Sequence, residues 1–133
     1  MATWPKISGL DAALAKAEQR IYDNAYAIAS KRLRGLVFGF AVPRWPVGRD
    51  QGRAHSQDLF RIEDKSNGRD RVYLIVENDA RGPSGAPYAF YIRSAQVPGA
   101  GKKNAWLVLI RRPVLKLLSD LAREIVDDPL GEK

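Results

Sequence analysis

The chain has 133 residues, 45% of them hydrophobic, which suffices for one packed core and excludes a wholly disordered chain. Its 22 basic and 15 acidic side chains leave a net charge of +7 with His55 neutral. No cysteine is present, so disulfides, thiolate metal sites and cysteine nucleophiles are excluded, in keeping with a reducing compartment.

The positive surplus has two readings. It would attract polyanions, nucleic acid above all, through counterion release, or it would simply keep a small protein soluble. No stretch approaches the ~18–20 apolar residues of a membrane span, and the longest apolar run, residues 105–110, meets Arg111 and Arg112 at once. The N-terminal residues lack the basic start, apolar centre and cleavage site of a secretory signal. The expectation is a protein neither exported nor membrane-bound.

Residues 8–37 read as one long amphipathic helix. Ser8 and Asp11 have capping-box spacing, with Asp in place of Glu. Leu10, Leu14, Ala17, Ile21, Ala25, Ile28 and Leu36 recur near the 3.6-residue period, and Lys16, Glu18, Gln19, Asp23 and Lys31 fall opposite. Such a helix runs on the order of 40 Å, more than a globule of this size needs, so part of its face is expected to meet a second copy or a partner. Asp11 at its start and Lys31, Arg32 and Arg34 near its end suit the helix dipole. The helical signal fades at Gly35 and Gly39 and ends before Pro43.

Residues 43–56, rich in Pro, Gly and Arg, read as a loop. Strands over 58–63 and 71–78 flank Asn67-Gly68, a hairpin turn pair. After a loop over 79–87, residues 88–93 read as a third strand. Residues 95–104 form a glycine-rich loop carrying Lys102 and Lys103, and 105–112 are ambiguous between strand and helix. Pro113 suits the first position of a helix to about 126, with Val114, Leu117, Leu118, Leu121 and Ile125 as its buried face. Residues 127–133 should fray. The result is a single α+β domain over 1–133. A long N-terminal helix (8–37) and a C-terminal helix (113–126) pack on a small, mainly antiparallel sheet of three to four strands within 57–93.

Catalytic groups are sparse. A lone histidine, no cysteine and only adjacent acidic pairs (Glu63-Asp64, Asp127-Asp128) argue against a metal, and no cofactor is expected. The glycines of 48–52, 82–85 and 98–102 lack P-loop or dinucleotide spacing. His55 with Arg49, Arg53 and either Glu63 or Tyr88 could in principle serve ribonuclease chemistry, but a surface histidine in an arginine-rich loop explains it more simply. Trp106, inside an apolar run, reads as core. Trp45, between prolines, reads as exposed, either an interface anchor or a base-stacker.

One segment carries more. Residues 46–56, Pro46-Val47 followed by Gly52 and Ser56, resemble the P-V-D-T-G-x-L-x-x-S signature after the first long helix of tailed-phage neck proteins. These are tail-completion proteins similar to the lambdoid minor tail protein Z. Residues 87–92, PYAFYI, resemble that family's P-Y-A-x-Y strand, and Arg112-Pro113 resembles its final helix start, so the likeness spans about residues 8–126. The chain departs from it by two extra residues between Val47 and Gly52, by lacking threonine before Gly52, and by Arg93 where Glu is usual. The resemblance implies a non-enzymatic structural virion protein, a neck or tail-completion component forming a homo-oligomeric ring, a hexamer being one candidate, at the head–tail junction. It would reside in the virion tail or neck, and in the host cytoplasm during assembly. Its partners would be itself, neighbouring tail or head-closure proteins, and packaged DNA touched without sequence preference. Arg44, Arg49, Arg53, Lys102 and Lys103 would face DNA or dock a partner, and Trp45 would anchor an interface. The alternative is a small basic nucleic-acid-binding protein and, behind it, a small ribonuclease.

Overall fold

A computed structural model describes residues 9–45, 56–82, 84–91 and 104–132. Helix α1 spans Leu10–Arg34. Gly9 precedes it at φ 84°, a left-handed conformation suited to glycine, and no side chain caps the first turn. Ser8, half of the expected capping box, lies outside the described residues.

The chain does not leave the helix at 37. It widens into a π-helical segment, Gly35–Ala41, and tightens into a 3-10 turn, Val42–Arg44. The two glycines change the helix type rather than ending it. Leu36, Val37 and Ala41 are buried here, so tertiary packing holds a stretch that local propensity disfavours. Pro43 sits early in the 3-10 turn, where its missing N–H costs nothing.

The expected hairpin forms. Strand β1 (Phe60–Asp64) pairs antiparallel with β2 (Leu74–Asn78), from Phe60 opposite Asn78 to Asp64 opposite Leu74. Its tip carries Gly68 at φ 73°, and the Asn67 carbonyl oxygen Oδ1 accepts from the amides of Arg69, Asp70 and Arg71. The tip is tied to α1. The buried Tyr22 hydroxyl donates to the Arg71 carbonyl (3.2 Å) and accepts from the Gly68 amide (3.0 Å), while Gln19 donates to the Gly68 carbonyl (3.1 Å).

Three expectations need correction. The described sheet has two strands, not three to four. Instead of continuing extended, residues Ala89–Tyr91 make a 3-10 turn after Pro87, which is confined to an isolated bridge with Arg81. That turn buries Ala89 and sets Phe90 against Phe60 and Trp106, a better use of an aromatic side chain than an edge strand offers. Second, the last helix, α2, is Ala105–Asp127, so Pro113 is interior. Asn104 caps it by accepting from the Leu107 amide (3.2 Å). Third, Leu118 is exposed rather than part of the buried face.

The two helices run antiparallel. Arg20 pairs with Glu132 (2.9 Å), Asn24 donates to the carbonyls of Asp128 (2.8 Å) and Pro129 (3.2 Å), and Arg32 pairs with Glu124 and reaches Asp120 (4.0 Å). Residues 127–132 are therefore clasped rather than frayed. The core gathers Leu36, Val37, Trp45, Phe60, Ala89, Ala105, Leu109 and Ile110, where the end of the first helical run, the hairpin and the start of α2 converge. The fold is α+β, two helices packed on a two-stranded antiparallel sheet.

Candidate nucleic-acid or partner interface

Charge is sorted over this frame. On the hairpin, Arg61 is neutralised locally: its Nε lies 3.0 Å from Asp79, it pairs with Glu77, and Glu63 stands 3.7 Å away. The Asp79 carboxylate holds its guanidinium pKa above the ordinary value. Asp64 accepts from the Tyr26 hydroxyl and from the Ser66 amide (2.9 Å). These bonds hold the Asp64 carboxyl below the usual aspartate range and push the Tyr26 phenol up. The strands of the hairpin thus contribute little free positive charge, although Arg69 and Arg71 at its tip have no ion pair among the described residues.

The cations collect instead where the π segment crosses α2. A groove of about 610 Å³ there has a floor of Ile28, Leu36, Phe40, Pro113 and Leu117, and its rim carries Lys31, Arg32, Lys116, Asp120 and Glu124. It continues around Phe40, Pro113 and Lys116 into a second groove of about 680 Å³ that adds Arg44, Val108, Leu109 and Arg112. Arg32 is occupied by Glu124 and Asp120, and Lys116 lies 3.9 Å from Asp120. Lys31, Arg44 and Arg112 have no ion pair among the described residues.

Local chemistry positions Arg44. It ends the 3-10 turn, its guanidinium lies 4.1 Å from the centre of the Phe40 ring, and Nη1 donates to the Phe40 carbonyl (3.1 Å). A guanidinium held this way keeps donors free to meet phosphate or carboxylate oxygens in a fixed plane. Pro113 helps to shape the floor. Lacking an N–H, it cannot serve the Leu109 carbonyl one turn back, and its ring fills space between the helices.

Of the residues expected at the site, Arg44 and Trp45 are described. Arg49, Arg53, His55, Lys102 and Lys103 lie outside the described residues. Trp45 is corrected: it is 3% exposed and belongs to the core, not to a free surface. Its indole N–H donates to Ser56 Oγ (2.9 Å), and its ring meets Phe60 edge-on at 4.9 Å. Apolar area and a satisfied N–H make burial favourable. This hydrogen bond ties Trp45 to Ser56 beside Arg44. Trp106, as expected, packs with the aromatic cluster of Trp45, Phe60 and Phe90.

Sequence reading missed the contribution of α2. Arg112 and Lys116 join Arg44 and Lys31 only because the helix begins eight residues before Pro113. The signal was present in Asn104, a strong N-cap residue just before an apolar run. Among the described residues, no group of three His, Asp or Glu side chains is placed to hold a metal, and no helix is long and apolar enough to cross a membrane. Comparison of the chain with protein-family models, with curated proteins and with solved structures finds no match.

Proposed function

We propose that this chain is a structural virion protein of a tailed bacteriophage or prophage, a neck or tail-completion component acting as an oligomeric ring at the head–tail junction. The assignment to such particles is supported by the ordered likeness of residues 46–56, 87–92 and 112–113 to that family. The geometric observation that carries the mechanism is the cation-rimmed groove beside the bonded pair Trp45 and Ser56. In this reading the protein works by self-association, docking and sealing, without catalysis. Arg44 and Arg112, with Arg49 and Arg53 close by in sequence, meet passing phosphates, and contact with DNA is blind to sequence because a conduit passes every base.

The test is a particle lacking the protein, together with a cryo-EM map of the intact one. The expected results are unjoined heads and tails in the first and a symmetric ring at the neck in the second. Normal joining without the protein, or isolated single copies in the map, refutes the reading. The net charge of +7 favours one alternative, a free nucleic-acid-binding protein. That alternative requires tight duplex binding by the isolated chain at physiological salt, whereas the proposed role gives weak binding that falls steeply with salt. Nucleic acid cleavage abolished by His55→Ala would instead establish a ribonuclease.

A further inference from the structure

We infer that the groove between the first helical run and α2 seats an amphipathic helix of a neighbouring protein, acidic at one end and apolar along one face. The inference rests on the docking part of the proposed function and names the chemistry of the partner at that site. Its first ground is the form of the groove. The α2 wall is lined from 108 to 124, roughly 24 Å of helix, over a floor that stays apolar from Val108 through Phe40 and Pro113 to Ile28. Both walls are helical, so their backbone groups bond largely within their own helices and offer an extended segment no ladder. A helix, which satisfies its own backbone, is the form of chain that fills such a space.

The second ground is charge, which is divided along the groove. Where 40–44 faces 108–116, the lining carries Arg44, Arg112 and Lys116 and no acid. Lys116, with a side chain 81% exposed, meets Asp120 only at 3.9 Å. Where 28–32 faces 120–124, Lys31 and Arg32 are balanced by Asp120 and Glu124, and Arg32 is bonded to Glu124. One end is therefore basic and the other neutral. A DNA backbone is evenly charged and has no apolar face, so it matches only the basic end and leaves the floor in water. A helix with carboxylates at one end and aliphatic side chains along a face matches both ends and covers the floor. Arg44, held over Phe40 at 4.1 Å and bonded to the Phe40 carbonyl, stands at the basic end with donors free for a carboxylate. While the groove is open, Arg44 and Arg112 are available to phosphate. A seated helix takes them, so helix and duplex compete.

The probe is a synthetic peptide of about 16 residues, with glutamates in its first two turns and leucines at helical spacing along one face, titrated into the full chain. Amide chemical shifts should move along 28–44 and 108–124, and a labelled short duplex should be displaced. Affinity should fall about tenfold when the glutamates become lysines, and by a similar factor when the leucines become serines. The Arg112→Glu/Lys116→Glu chain, changed only at exposed positions, should prefer the lysine peptide, a reversal that an unfolded variant cannot give. Equal binding of the leucine and serine peptides, with shifts confined to the basic end, would overturn the inference and assign the site to phosphate. Absence of binding by every peptide would overturn it too. If particles lacking the chain still hold unjoined heads and tails, only the occupant is then wrong and the neck role stands. Normal joining in such particles, with the glutamate peptide bound as expected, removes the neck role and leaves the groove as a docking site.

Discussion

Replacing Trp45 separates a core residue from an interface anchor. Trp45 is nearly sealed from solvent, meets Phe60 at 4.9 Å and Trp106 at 6.1 Å, and donates its indole N–H to the buried Ser56 hydroxyl. The Ser56 carbonyl in turn accepts from Asn78 (2.7 Å), at the end of β2. Trp45→Ala removes a large buried side chain, a loss of about 3–5 kcal/mol when the surroundings cannot collapse. The orphaned Ser56 hydroxyl pushes the cost toward the upper end. Trp45→Phe keeps most of the packing and loses the hydrogen bond, for about 1–3 kcal/mol. Against a typical total of 5–15 kcal/mol, the alanine variant loses a third or more of its stability. Urea unfolding followed by far-UV circular dichroism should show the midpoints falling in the order parent, Trp45→Phe, Trp45→Ala, with slopes unchanged. A Trp45→Phe/Ser56→Ala double variant should cost less than the sum of its singles, because the second change removes the orphan. An alanine variant within about 1 kcal/mol of the parent that self-associates poorly would refute this reasoning and restore Trp45 as an exposed anchor.

The remaining predictions concern the ties between elements. Tyr22→Phe should cost about 1 kcal/mol and speed hydrogen exchange at the amides of 67–71, which that hydroxyl and Gln19 link to α1; unchanged protection would show that the hydroxyl does not hold the tip. Gly131→Ala should cost about 1–2 kcal/mol, since Gly131 sits at φ 69° and an added Cβ would lie 2.8 Å from Asn24 Oδ1; limited proteolysis should then reach the C-terminal segment first. The Tyr26–Asp64 bond stabilises the fold above the ordinary aspartate pKa of about 4 and loses that contribution as pH falls through the lowered folded value. It also stabilises the fold below the ordinary tyrosine pKa of about 10 and loses that contribution as pH rises through the raised folded value, so Tyr26→Phe should flatten both arms of the stability–pH curve. Arg44→Ala and Arg112→Ala should each reduce the log–log salt slope of duplex binding by about one, equally for all sequences; a slope unchanged in both variants would move the DNA contact elsewhere.

What was legible in the sequence was local. The amphipathic period marks α1, because side chains three and four apart share a face whatever packs there. Asn67-Gly68 marks the hairpin, because Asn67 satisfies three turn amides and Gly68 takes φ 73°. The candidate interface was legible only in part, through Arg44 and the basic excess after residue 31. Tertiary structure decided the rest. Residues 105–110 are apolar at every position and carry no period to distinguish helix from strand, so their state depends on what they pack against. A proline is compatible with the start or the interior of a helix, and only Asn104 capping the turn before Ala105 resolves Pro113 as interior. Glycines 35 and 39 break a helix in isolation, yet burial of Leu36, Val37 and Ala41 against α2 keeps the chain helical to Arg44. Trp45, flanked by polar and turn-forming residues, is buried because Phe60, Trp106 and Ser56 arrive from distant segments. Hydrogen bonds and sterics between near neighbours are written in residue order, whereas burial depends on which remote surfaces meet, and that is settled only when the chain has folded.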